Sequence, residues 1–191
     1  MDPIERAVQV LSRDGLIVYP TDTVYGLGAD AFSDEAIEKV YEAKGRFFGK
    51  PVSIAVADAD MLAAVAEVDP VSEAFIRKFL PGPVTVVLRA KSSIPTILTA
   101  GTGRIGIRIP AHSVPHEIIR RFDAPITATS ANLSGEHDPV TLADCHVPHD
   151  FAIDGGRLSG TPSTVVDIAA GTLIRRGALA DEIEAFLSSC R

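Results

Sequence analysis

Ile4, Val8 and Leu11 recur at helical spacing, Asp2 stands where an N-cap belongs, Pro3 suits a first turn and Asp14-Gly15 ends the segment, so the pattern predicts a helix over residues 3 to 13. Leu16 to Tyr19 follows as a strand. Ser33 predicts the cap of a second helix through Ile37, Val40 and Tyr41, which carries Lys44 into its last turn, where a cation suits the helix dipole. Val52 to Val56 predicts a buried strand, Asp60 to Ala66 and Val71 to Phe79 predict helices, and Pro81-Gly82-Pro83 turns the chain into a strand at Val84 to Leu88. In Arg104 to Ile109 the residues Ile105, Ile107 and Ile109 alternate with Arg104, Gly106 and Arg108. A strand there points Arg108 away from the apolar row, toward a cavity or solvent. A helix from about Pro115 to Phe122, strands at Ile126 to Thr129, Phe151 to Ile153, Thr164 to Ile168 and Leu173 to Arg175, and a helix at Asp181 to Leu187 complete the pattern.

Strands and helices mix without a strict βαβ repeat, an internal repeat or a linker, which predicts one α/β domain over residues 1–191 around a mixed sheet flanked by helices. The 46% hydrophobic content of the 191 residues supplies a substantial core. No apolar run approaches the roughly 18 residues that span a bilayer, and Asp2, Pro3 and Glu5 do not form a signal-peptide start. The expectation is a soluble, cytoplasmic protein. Cys145 and Cys190 have no partner at metal-ligand spacing, and Cys145-His146 with His149 reads as a surface loop. His112 and His116 are separated by Ser113-Val114-Pro115, which lacks a zinc-protease glutamate and predicts a helix start between them. No protein metal site is assigned.

Charge narrows the chemistry. Lys44, Arg46 and Lys50 fall within seven residues of a chain whose net charge is -7, a local cluster that suits a specific anion such as a polyphosphate. Cations at a helix end also serve as solvated caps. Gly45 and Gly49, the adjacent Phe47-Phe48 that suits lining a pocket or stacking a base, and the strand that follows favour a nucleotide crevice in a polar loop. Gly101 to Gly106 spells the dinucleotide fingerprint but runs into a strand instead of opening a helix. Gly45 to Lys50 is one residue short of a Walker loop and has Pro51 where Ser or Thr belongs. Ser130-Ala131-Asn132 lacks the glycine-flanked elbow of a hydrolase. After its strand it can offer hydroxyl, amide and backbone N–H groups to an anion, and it also fits a simple turn.

Taken in order, Pro20-Thr21-Asp22-Thr23-Val24-Tyr25-Gly26-Leu27-Gly28, Lys44-Gly45-Arg46, Pro81-Gly82-Pro83-Val84-Thr85, Arg108-Ile109-Pro110, Ser130-Ala131-Asn132-Leu133-Ser134-Gly135, Ser163-Thr164-Val165-Val166-Asp167 and Ile174-Arg175-Arg176-Gly177 resemble the YrdC-like family of threonylcarbamoyl-adenylate synthases. The resemblance implies a twisted sheet with a concave basic cavity. It also implies synthesis of threonylcarbamoyl-adenylate and pyrophosphate from ATP, L-threonine and bicarbonate, the product passing to a transferase that modifies a tRNA adenosine beside the anticodon. By position, it assigns Lys44, Arg46 and Lys50 to the ATP phosphates, Ser130, Asn132, Arg175 and Thr99 to the nucleotide, and Thr23, Arg108 and Ser163 to threonine, with Arg108 forking its carboxylate. Lys44 and Arg46 are the candidate catalytic residues. Magnesium would ride on the ATP phosphates with several waters, since no carboxylate cage is evident. Phe47-Phe48-Gly49 departs from the usual segment, which more often begins with proline, and the chain resembles the short form of the family.

Two rivals use the same residues. A non-catalytic module could hold double-stranded RNA or tRNA through phosphate contacts, which the net charge of -7 opposes except at a local patch. The related carbamoyl-transfer domain of hydrogenase-maturation proteins normally accompanies acylphosphatase and zinc-finger segments, for which 191 residues and two cysteines leave no room.

Overall fold

A computed structural model describes residues 2–190. Side-chain caps start four of the helices, the first two at the Asp2 and Ser33 caps expected from the sequence and the next two each one residue earlier than expected. Asp2 accepts from the Ile4 N–H, Ser33 from Ala36, Asp58 from Met61 and Asp69 from Ser72. The order is α1 (Pro3–Leu11), β1 (Ile17–Tyr19), β2 (Gly26–Gly28), α2 (Asp34–Lys44), β3 (Ile54–Ala55), α3 (Ala59–Val65), α4 (Pro70–Phe79), β4 (Val84–Arg89), α5 (Thr96–Thr99), β5 (Arg104–Arg108), α6 (Ser113–Phe122), β6 (Ile126–Thr127), β7 (Thr129–Ser130), β8 (Phe151–Ala152), β9 (Thr164–Asp167), β10 (Thr172–Arg175) and α7 (Ala180–Ser189). A single 3₁₀ turn lies at Leu142–Asp144. His112 caps α6 by accepting from Val114, so that helix begins before Pro115, not at it.

The single sheet expected from the sequence is two. A four-stranded sheet runs β7-β2-β1-β8 and a six-stranded sheet runs β10-β9-β4-β5-β3-β6, each mixing parallel and antiparallel neighbours. The run Ile126 to Thr129, which reads as one strand, divides between them. Its first half pairs with β3 and its second with β2. Thr127 makes the crossing possible. Its buried hydroxyl accepts from the Ala29 N–H and donates to the Leu27 carbonyl, both at 3.0 Å, so the backbone of β2 is satisfied where the strand leaves it.

Period-two geometry then sorts the six-stranded sheet. Ile54, Val84, Val86, Leu88, Ile105, Ile107 and Val166 pack into a core shared with Leu62, Phe75, Leu98 and Ile183 from the helices. The alternate positions Thr85, Val87, Arg104, Gly106, Arg108, Val165 and Asp167 line a cavity on the opposite face. The four-stranded sheet closes that cavity from the other side. There Tyr19 lies against the two glycines of β2, where a Cβ at Gly26 or Gly28 would come within 2.8 Å of its ring. The Tyr19 hydroxyl donates to the Thr127 carbonyl at 3.0 Å, and burial pushes its pKa well above the usual tyrosine value.

Cys145 corrects another expectation. The segment is a loop with His146 and His149 exposed, but the Cys145 side chain turns inward to pack with α2 residues Ala36, Val40 and Ala43, and burial raises its thiol pKa to about 11.

Candidate functional site

The cavity between the two sheets has a volume of about 590 Å³. Five basic residues line it, Arg46, Lys50, Arg104, Arg108 and Arg175, against two carboxylates, Asp138 and Asp167. It adjoins a second compartment of about 370 Å³ that shares Arg46, Lys50, Ser130 and Asp138 and adds Lys44, Phe47 and Asn132. Both expected halves of the site therefore lie against a common wall.

At the inner end the alternation of β5 delivers Arg108 to the cavity, 7% exposed. Its guanidinium is already engaged. It donates to Asp22 at 2.5 Å and to the Thr23 hydroxyl at 3.1 Å, which ties the six-stranded sheet to the turn after β1. That turn is rigid, because the Thr21 hydroxyl donates to the Val24 carbonyl at 2.8 Å, accepts from the Thr23 N–H and contacts the Thr23 hydroxyl at 2.9 Å. Asp22 is a site residue that local motif reading does not single out, since nothing near it in sequence marks a partner 86 residues away. The pair leaves the Arg108 Nε and one Asp22 oxygen without a partner, an unusual state for buried charged atoms.

Ser163 sits beside this pair. Its hydroxyl contacts the Thr85 hydroxyl at 3.0 Å and accepts from Arg175 at 2.9 Å, while Arg175 also donates twice to the Ser163 carbonyl. Arg175 thus lines the cavity but folds back onto Ser163. Elsewhere on the cavity wall Arg104 pairs with Asp167 at 2.5 Å. Thr99 does not reach the wall of either compartment. It is buried in α5, where its hydroxyl donates to the Thr96 carbonyl, and Thr102 lines the cavity instead.

Lys44 departs furthest from its expected setting. It is 2% exposed, not part of a polar loop. Its ammonium donates to the Ser130 carbonyl, to the Asn132 carbonyl at 2.7 Å and to the Asn132 side-chain oxygen at 3.2 Å, which uses all three of its hydrogens. Burial first, then the Arg46 charge, pulls its pKa down to about 8, against an opposing pull from Asp138. Asn132 is equally committed. Its side-chain oxygen also accepts from Ser130 at 2.6 Å and its amide donates to the Glu136 carbonyl at 2.8 Å. Lys44 and Asn132 build the wall, and the cations of the cluster that remain open to a ligand are Arg46 and Lys50. Arg46 braces the loop by donating to the Pro51 carbonyl at 2.7 Å, and Lys50 is exposed.

Among the described residues, no group of three or more His, Cys, Asp or Glu is arranged to hold a metal ion. No helix among them is long and apolar enough to cross a membrane.

Residues 9–177 match the Sua5/YciO/YrdC family, whose description is telomere recombination. The chain belongs to that family. A threonylcarbamoyl-AMP synthase from Pyrococcus abyssi is 37% identical over 94% of this chain, and one from Bacillus subtilis is 37% identical over 97%. The chain spans 56% and 57% of those two proteins. The crystal structure of P. abyssi Sua5 complexed with L-threonine superposes with a TM-score of 0.91 at 34% identity, covering 96% of this chain and 56% of that one. The α/β fold inferred from the sequence is the fold of the family.

The Lys44 geometry has a measurable consequence. Lys44→Met keeps an unbranched apolar stem but leaves the Ser130 and Asn132 carbonyls unpaired, so it is expected to destabilise the ligand-free protein by about 1–3 kcal/mol. Urea unfolding at pH 7 measures this, and an unchanged midpoint would mean that these hydrogen bonds carry no stability.

Proposed function

We propose that this domain is an L-threonylcarbamoyl-adenylate synthase, converting ATP, L-threonine and bicarbonate into threonylcarbamoyl-AMP and pyrophosphate. The observation that carries the reading is a pair of adjoining compartments, the first lined by Arg108, Thr23 and Ser163 and the second by Arg46 and Lys50, the cations of the cluster that stay open. The relatives named as synthases and the relative crystallised with L-threonine support it.

In this reading the threonine carboxylate meets the guanidinium of Arg108 where it lines the cavity, with Thr23 and Ser163 beside it. The neutral amine adds to carbon dioxide, which bicarbonate yields by losing hydroxide, and the proton released from nitrogen joins that hydroxide as water, leaving a carbamate. A carbamate oxygen then attacks the α-phosphorus of ATP, the bond from that phosphorus to the bridging oxygen breaks, and pyrophosphate departs. Arg46 and Lys50 would neutralise the phosphates, while Ser130 presents its hydroxyl from the wall that Lys44 fixes. Positioning and charge neutralisation supply the acceleration, without a nucleophilic side chain. Magnesium would arrive on the phosphates and balance their charge, and Asp138, which lines both compartments, is the carboxylate it would meet. A separate transferase would carry the product to the tRNA adenosine.

Incubation with ATP, magnesium, bicarbonate and labelled threonine is expected to yield the labelled adenylate and pyrophosphate only when threonine and bicarbonate are both present. Accumulation of ADP and phosphate would replace this reading with a kinase or ATPase.

Arg108→Lys separates the two ends of the site. An ammonium cannot hold Asp22 and Thr23 and also offer a second planar edge, so threonine binding is expected to weaken by about 1–3 kcal/mol with little change for ATP. Calorimetric titration of each ligand decides it, and an unchanged threonine affinity would remove Arg108 from the substrate site.

A further inference from the structure

The loop after α2 treats its two adjacent phenylalanines differently. Gly45 closes the helix in the left-handed region at φ 55°, and the Arg46 N–H returns to the Tyr41 carbonyl at 2.9 Å. The Tyr41 hydroxyl reaches across the loop, with the Lys50 and Ile97 carbonyls at 2.9 and 3.0 Å, and Phe48 stacks on the Tyr41 ring with centroids 4.7 Å apart. Phe48 is therefore an anchor. Phe47 stacks on no aromatic ring among the described residues and is 75% exposed. Its ring covers the Gly49 α-carbon so closely that a Cβ there would lie 2.2 Å from Cε1. This placement sets the ring at the edge of the outer compartment, with Arg46, Lys50, Ser130 and Asn132.

An exposed aromatic ring beside open cations matches a ligand that carries both a π-face and phosphates. We infer that Phe47 is the platform on which the purine base of ATP stacks, while Phe48 serves only to hold the loop. This rests on the ATP-dependent reading above. A polynucleotide fits the place less well. The compartment measures about 370 Å³, its wall carries Glu136 and Asp138 as well as the cations, and the chain's net charge is -7.

The chain contains no tryptophan, so Phe47→Trp introduces a single fluorophore at the proposed platform. Four proteins, unsubstituted, Phe47→Ala, Phe47→Trp and Gly49→Ala, would be titrated with ATP, inorganic tripolyphosphate, L-threonine and a short single-stranded oligoadenylate. Phe47→Ala is expected to weaken ATP at least about fivefold, the lower end of base–aromatic stacking, and to leave tripolyphosphate and threonine unchanged. Phe47→Trp should retain ATP affinity and show saturable quenching by ATP but not by tripolyphosphate. Gly49→Ala should weaken ATP with an unaltered unfolding midpoint, because the added methyl displaces only the Phe47 ring. The inference is overturned if Phe47→Ala binds ATP like the unsubstituted protein, if ATP and tripolyphosphate weaken together, or if the indole of Phe47→Trp is quenched by the oligonucleotide and not by ATP. Failure of the unsubstituted protein to bind ATP would instead remove the ATP-dependent reading itself.

Discussion

The outer half of the cavity depends on one ammonium group. Lys44 ends α2 inside the protein and gathers three acceptors from Ser130 and Asn132, which lie 86 and 88 residues later. Without it, the β7 turn would present unpaired carbonyls to a buried space, and Asn132 would lose the partner that orients its side chain. Ser134 adds a return bond, its N–H donating to the Lys44 carbonyl at 3.0 Å. Helix end and turn thus form one unit, and Arg46 and Lys50 project from it toward the ligand space.

That unit works because the chain changes sheets at Ala128, whose N–H donates to the Ser53 carbonyl at 2.7 Å between the last residue of β6 and the first of β7. The change brings the Lys44 wall to face the polar side of the six-stranded sheet. The Arg108 to Asp22 pair secures the same two layers at the inner end. Its desolvation is only partly offset, since two of its polar atoms lack partners.

Much of the fold is legible in the sequence because its signals are local. Asp2, Ser33 and the apolar spacing of α1 and α2 carry their own caps and faces, and the alternation in β5 correctly sends Arg108 away from Ile105 and Ile107. The Gly26–Gly28 strand is not legible, because two glycines contribute no strand propensity and their purpose is to admit the Tyr19 ring. Nor is the split of Ile126 to Thr129, which depends on pairing with two distant strands. In the site, charge patterning identifies the basic cluster but treats its three cations alike, as phosphate contacts. Burial makes Lys44 a different kind of residue from Lys50, and only the long-range packing of Ser130 and Asn132 reveals it. The pairing of Asp22 and the replacement of Thr99 by Thr102 on the wall likewise depend on tertiary geometry.

The central claim is that Lys44 holds the outer wall together before any ligand arrives. Amide hydrogen exchange of ligand-free Lys44→Met, compared with the unsubstituted protein, tests it directly. The account predicts faster exchange at residues 130–136, where Lys44 supplies the anchoring bonds, by more than the uniform loss of protection that the lowered global stability brings to α4 and β4. Undiminished protection across residues 130–136 would contradict it, and would return Lys44 to the role of a ligand contact that leaves the wall standing without it.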